Sequence, residues 1–320
     1  MDIDDIRHSK RRNVIETILF FIVTYGVCWG VGILNYCNRF MSGDMMAVFM
    51  MTLPATGVSI AKLYGNIKND ENRRVHFVYV VCFICFVVFI SFRIAGIISE
   101  KFLEIFINYI LLPVSSILIL IFAILDNGEL APGKNWKKVQ LLLLIFIFLL
   151  IAGGIISSAG MEIAGFHFIA FLPVSYISCF LQGAAFFGEE YGWRGFLQEK
   201  VQKISGRQTG VILLGIIWEL WHMPIWFSVY HVDGLGLALR FLSTGSFAVI
   251  IGYAYMKSDN VWVCAFMHYS INLCLTAFPG NADSYNFNAE HITGPRIAEV
   301  VFLFIAFSLF LCAKEYREEL

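Results

Sequence analysis

Apolar residues run in blocks of about twenty along this chain, and the blocks do not alternate. Leu141–Ile156 and Val300–Cys312 are clear cases. A bilayer core needs about 20 apolar residues per helix. On that rule, spans are predicted near 14–35, 45–64, 77–98, 103–125, 139–157, 168–189, 209–227, 235–256, 261–278 and 297–313. The 45–64 block is the least regular, since Pro54 and Gly57 interrupt it. Barrel strands would alternate over about ten residues, so the pattern predicts helices. Polar stretches are short, at Asn66–His76, Asp126–Lys138 and Pro279–Arg296, and leave no room for a soluble domain. The expected fold class is all-α: a polytopic membrane protein of about ten transmembrane helices. No internal repeat is evident, which argues against repeat-built transporter folds.

Composition agrees with this reading. Of 320 residues, 58% are hydrophobic and 15% charged, against about 45–50% and about 25% in a soluble domain. A net charge of -1 leaves no electrostatic footprint for nucleic acid. Seven of the eight cysteines lie inside apolar runs, and Cys82 and Cys85, although spaced CxxC, sit among Val, Phe and Ile. They read as small core fillers and not as a redox or metal pair. Met1–Arg12 is polar with mixed charge, and the run after it is of spanning length without a cleavage pattern, so it reads as a first span and not a removed leader.

Basic residues set the expected orientation. With the N-terminus in the cytosol, inner segments collect Arg7–Arg12, Lys68–Arg74, Lys134–Lys138, Lys200–Arg207, Lys257 and Lys314–Arg317, while outer loops hold only Arg39, Lys101 and Arg296. Both termini are therefore expected in the cytosol, with the chain in the plasma membrane.

Ionisable groups within a membrane are costly, and each poses a functional question. Arg93 and Arg240 can snorkel or pair, Glu104 lies near a span end, and His231 and Asp233 fall in a short outer loop; all five read as structural. Three clusters differ. The first is Gly188-Glu189-Glu190-Tyr191-Gly192-Trp193-Arg194, where Glu190 and Arg194 are spaced i,i+4 and Glu189 points elsewhere. The second is Trp218-Glu219-Leu220-Trp221-His222, and the third is His268-Tyr269-Ser270-Ile271-Asn272, whose His268 and Asn272 share a face. A turn near Ser205-Gly206 puts Glu189 and His222 each roughly 25 Å from the bend, at the α-helical rise of about 1.5 Å per residue. His268 lies roughly 13 Å past the Ser258–Asn260 turn by the same rise. The polar stretch Gln198–Gln208 implies that the first hairpin projects about 10 Å further into the cytosol, which puts the three clusters at one depth, in a cytosol-facing cavity among the later helices.

Glu-Glu-x-x-x-Arg, aromatic-x-x-x-His and His-x-x-x-Asn, in this order on separate spans, resemble the CPBP family of intramembrane proteases. That family includes the type II CAAX prenyl endopeptidases and bacteriocin-immunity relatives. Trp218 stands where the family often has Phe, and Glu219 has no assigned role. The resemblance covers about Ile169–Phe278 and implies three regions: a variable part at 1–165, a catalytic core at 166–280, and a loop, last helix and tail at 281–320. It implies an endopeptidase acting on a membrane-associated peptide or lipidated protein. Glu189 would be the general base assisted by His222, with His268 and Asn272 as oxyanion donors and Glu190–Arg194 as support. No cofactor is expected on that reading. Zinc held by Glu189, His222 and His268 is the competing chemistry, although no His-Glu-x-x-His signature is present. A non-proteolytic immunity or binding protein of the same family, or a proton-coupled transporter, are the competing functions.

Overall fold

The computed structural model describes residues 3–66, 70–161, 175–278 and 291–318. Among them there is no strand. Eight helices are long and apolar enough to cross a membrane: Arg11–Asn38, Gly43–Gly65, Arg73–Ile94, Glu100–Asp126, Gln140–Ser157, Arg207–Tyr230, Gly234–Ser258 and Gly294–Cys312. Each coincides with a predicted span. The predicted 261–278 span is met by a shorter apolar helix, Val261–Cys274. The predicted span at 168–189 falls partly outside the described residues.

The chain divides into two compact units, one of residues 1–132 with 180–192, the other of residues 133–179 with 193–320. The first contains α1 (Ile3–Phe21), α2 (Cys28–Asn38), α3 (Gly43–Asn66), α4 (Arg73–Ile94), α5 (Glu100–Phe106) and α6 (Leu112–Asp126). The second contains α7 (Gln140–Ser157), and the first resumes with α8 (Gly183–Glu190). The remaining helices of the second unit are α9 (Glu199–Ser205), α10 (Arg207–Ile225), α11 (Gly234–Ser258), α12 (Val261–Ala277), α13 (Gly294–Ser308) and α14 (Lys314–Arg317).

In the first unit α3 packs against α1, α4 and α8. This is the span whose sequence looked least like a membrane helix, and it is the most buried, at 67%. The two facts have one cause. Its Thr52, Thr56 and Ser59 are fully buried against protein, and their hydroxyls are satisfied nearby, Thr52 donating to the Phe49 carbonyl at 2.8 Å and Thr56 to the Thr52 carbonyl at 2.9 Å. A helix two-thirds buried in protein has less need of a continuous apolar surface. Between lipid-solvated helices, close backbone approach and polar contacts drive packing instead.

In the second unit α11 is the centre, touching α10, α12, α13 and α14. Its closest approach to α10 uses Gly215, where a Cβ would lie 3.0 Å from the Cα of Gly245 and 3.1 Å from the Cβ of Ala248. The predicted turns are both present. Gly206, at φ +78°, joins α9 to α10, and Asp259, at φ +48°, follows α11. Side chains cap the new starts: Asp233 accepts from the Gly236 N–H at 2.8 Å, and Asn260 from the Trp262 N–H at 2.8 Å. Asp233 is thus a capping residue, as its loop position suggested. The short α14 is pinned beneath this unit. Tyr316 is 2% exposed and donates to the Val249 carbonyl at 2.7 Å, while Glu315 meets Lys257 at 2.8 Å. That ammonium holds the Glu315 carboxyl below the ordinary carboxylate range.

Candidate active site

In the first unit, Glu189 and Glu190 close α8 and are buried, at 1% and 0% exposure. The start of α8 is fastened by hydroxyls where no water would serve. Tyr79 donates to the Ala184 carbonyl at 2.9 Å, and the Ser116 hydroxyl accepts from the Ala184 N–H at 2.8 Å while its single proton is shared between the carbonyls of Leu112, at 2.7 Å, and Leu181, at 3.0 Å. The glutamates are framed by two glycines four residues apart. A Cβ on Gly188 would lie 3.0 Å from the Tyr79 ring and 3.2 Å from the Met51 carbonyl oxygen. A Cβ on Gly192 would lie 2.2 Å from the Pro54 Cβ. These contacts bring α3 and its proline against the backbone that carries the glutamates. Tyr191, next along, stacks on the buried His76 ring at 5.9 Å. His76 is held in turn by Ser59, 3.1 Å from its Nδ1, and faces Asp70, 3.5 Å from its Nε2. The same imidazole contact keeps the Asp70 carboxyl below its ordinary range.

Residues Tyr191–Gln198 are wound as a π-helix. Such segments carry i→i+5 bonds, are rare, and concentrate at functional sites. The α-helical spacing assumed for Glu190 and Arg194 therefore does not apply to the turn between them.

In the second unit, Arg194 is fully buried, and its guanidinium lies over the Trp218 ring at 4.3 Å. Trp218 also meets His268 edge-on at 5.4 Å and lies 6.0 Å from His222. One indole thus gathers side chains from three of the sequence clusters, and the aromatic of the aromatic-x-x-x-His motif acts as a hub. His222 is further enclosed by Trp221, at 4.8 Å, and by Trp226, stacked at 5.7 Å. Its Nδ1 lies 3.0 Å from the Trp218 carbonyl oxygen. A carbonyl has no proton to give, so Nδ1 carries the hydrogen and, in the neutral ring, Nε2 carries the lone pair. His222 keeps 18% of its side chain accessible, and His268 is 7% exposed. Asn272 lies one turn past His268 on α12 and is half-buried. Thus Arg194, His222 and His268 are brought together by Trp218. Among the described residues, no group of three or more His, Cys, Asp or Glu is arranged to hold a metal ion.

Residues 165–274 match the family model described as type II CAAX prenyl endopeptidase Rce1-like. All six residues singled out in the sequence, Glu189, Glu190, Arg194, His222, His268 and Asn272, fall inside the Rce1-like region. A curated relative, "CAAX prenyl protease 2" of Methanococcus maripaludis, is 30% identical over 163 residues, covering 43% of this chain and 58% of the relative. The chain thus spans little more than half the length of that relative. No solved structure gives a significant match.

The geometry also supplies what the motifs left out. Glu219, without a role in the sequence, is fully buried. It accepts from the Trp226 indole at 2.8 Å and pairs with Arg240 at 3.2 Å. The signal was present in outline: a glutamate and an arginine, each inside an apolar span, are affordable in lipid chiefly as partners.

Proposed function

We propose that this protein is an intramembrane endopeptidase that hydrolyses a peptide bond of a membrane-associated, lipidated peptide or protein. The observation carrying the proposal is the Trp218-centred cluster inside the matched region: the buried His268, the half-buried His222 and the buried Arg194 converge on one indole, with His222 presenting Nε2 as a proton acceptor. The name of the Methanococcus relative supports a substrate of CAAX type, a C-terminal segment with a lipidated cysteine.

In the proposed reaction Glu189, with His222, takes a proton from a water molecule. The water oxygen bonds to the scissile carbonyl carbon. The resulting oxyanion accepts hydrogen bonds from His268 and the Asn272 amide. The tetrahedral intermediate then collapses. The C–N bond breaks, the proton held by the base passes to the leaving nitrogen, and a carboxylate and an amine result. Glu190 and Arg194 serve the fold of the helix end. Glutamate-activated water without a metal is the reading we favour; a zinc ion on Glu189, His222 and His268 would supply a Lewis acid at the same step. The basic-residue distribution supports a plasma-membrane protein with both termini in the cytosol and a substrate approaching from the lipid and the inner face.

The test is peptide profiling of host membranes carrying either the wild type or Glu189→Gln. Peptides released from membrane-anchored C-termini should appear only with the wild type. Identical profiles would remove the proposal.

A further inference from the structure

Glu219, His222 and Trp226 are spaced i, i+3 and i+7, a single stripe along α10 and the π-helical turn at Trp226–Tyr230 that follows it. The stripe is built outward from His222. The Trp226 ring stacks on the imidazole with an interplanar angle of 27°. The indole also packs against the Arg240 guanidinium, 4.3 Å from the ring centroid. Glu219 ties the layers together. Its Oε1 accepts from the Trp226 Nε1–H at 2.8 Å and from the Arg240 Nε at 3.3 Å, and its Oε2 from the Arg240 Nη2 at 3.2 Å and the Thr244 hydroxyl at 2.5 Å. Oε2 lies 3.8 Å from the His222 Nδ1, whose hydrogen is directed at the Trp218 carbonyl instead. Glu219 and Thr244 are almost wholly buried, and Trp226 and Arg240 are 3% and 9% exposed.

A buried ion pair alone is weak evidence for any role beyond itself, because its desolvation cost cancels much of its attraction. What distinguishes this one is the indole that it holds, which stacks on the histidine. An indole held only by packing can rock about its side-chain torsions. One whose N–H is fixed by a buried acceptor gives the imidazole a wall of constant orientation.

We propose that Glu219 is a positioning residue for His222, acting through the Trp226 indole, and that its pairing with Arg240 serves only to keep that carboxylate buried and fixed. The inference rests on the proposed role of His222 in the peptidase reaction. It predicts that the hydrogen-bond acceptor at position 219 matters to turnover more than the charge does.

Two doubly substituted proteins separate these properties. Glu219→Gln with Arg240→Gln removes both charges and keeps a carbonyl acceptor for Trp226. Glu219→Leu with Arg240→Leu removes both charges and the acceptor. Neither leaves a lone buried charge, so both are matched for the main cause of misfolding. Turnover is read with a farnesylated fluorogenic CAAX peptide in detergent micelles. The Gln pair should exceed the Leu pair by about tenfold in kcat, of the order expected for one hydrogen bond and a misaligned base, with KM within about twofold. Trp226→Phe should lower kcat in the Gln pair and leave the Leu pair unchanged, because the two changes break one contact. Equal kcat for the two pairs, or a difference lying in KM, would overturn the inference. Carbethoxylation of His222, followed by mass spectrometry, gives a reading independent of turnover: several-fold faster modification is expected in the Leu pair, and equal rates would again overturn it. Glu189→Gln run alongside keeps the two ideas apart. If it cleaves the peptide as the wild type does, the assignment of Glu189 as the base fails, and if the wild type does not cleave it, the peptidase reading fails; in both cases the carbethoxylation result still decides whether Glu219 orders the histidine.

Discussion

Replacing Gly192 by alanine is a small change with a large expected cost. On an open helix face the same replacement stabilises, by about 1 kcal/mol, because alanine loses less backbone entropy on folding. At Gly192 the added methyl would meet the Pro54 Cβ at 2.2 Å and the Pro54 Cα and carbonyl carbon at 2.9 Å. The last two are backbone atoms, held in a proline ring and a helix, so no rotamer change relieves them. Overpacking of this kind costs about 1–3 kcal/mol, and a backbone obstacle places Gly192 at the upper end. The expected net loss is thus about 2 kcal/mol, more than tenfold in the folding equilibrium. Gly30 provides the control: it lies in α2 with nothing within 4 Å of its would-be Cβ. Gly30→Ala should be neutral or slightly stabilising. Thermal denaturation of both variants in one detergent measures the gap, expected as several degrees with Gly192→Ala lower. Turnover should fall as well, since relief of the clash shifts the segment two residues beyond Glu190. If Gly192→Ala melts with Gly30→Ala and retains full activity, the close packing of α3 against this segment is not what positions the glutamates.

Three further outcomes are expected. Glu189→Gln should abolish activity and leave the melting temperature nearly unchanged, whereas Glu190→Gln should lower the melting temperature, since disrupting a buried, partnered carboxylate costs up to about 3–5 kcal/mol of stability; equal shifts in both properties for both variants would contradict the division of roles. Metal analysis of purified protein should find turnover independent of zinc and insensitive to chelators, and stoichiometric zinc whose removal and return switches activity would favour the metal reading instead. The Glu315 carboxyl is held below its ordinary range by Lys257, so its contribution is full above the unfolded value of about 4.3 and is lost as pH falls through the lower folded value. Hydrogen exchange in residues 313–317, corrected for intrinsic rates, should therefore accelerate as pH falls below the ordinary carboxylate range, and Glu315→Gln should remove that dependence.

The helices were legible because lipid imposes a length and an apolar surface that few other constraints produce. The lengths of eight described helices follow from it, and so do the turns at Gly206 and Asp259. The grouping of His222 with His268 was legible too, since polar groups inside a membrane seek one another. What stayed hidden depends on direction and not on composition. Pro54 and Gly57 made the 45–64 stretch look irregular, and both are packing positions, Pro54 against Gly192 and Gly57 against Phe20 and Thr24. The Gly188-x-x-x-Gly192 spacing was visible, but the Pro54 it meets lies more than a hundred residues away. The π-winding of Tyr191–Gln198 has no periodic signature in one sequence, and it alters the spacing inferred for Glu190 and Arg194. Glu219 had no role until Trp226 and Arg240 were seen around it.

The central claim is that this chain breaks a peptide bond with Glu189 as the base. Purified protein in liposomes, given a farnesylated CAAX peptide in water enriched in oxygen-18, tests it most directly by mass spectrometry. The account predicts one labelled oxygen in the new carboxylate, product formation by the wild type, and none by Glu189→Gln that remains folded by thermal scan. Undiminished labelled product from the Glu189→Gln protein would contradict it.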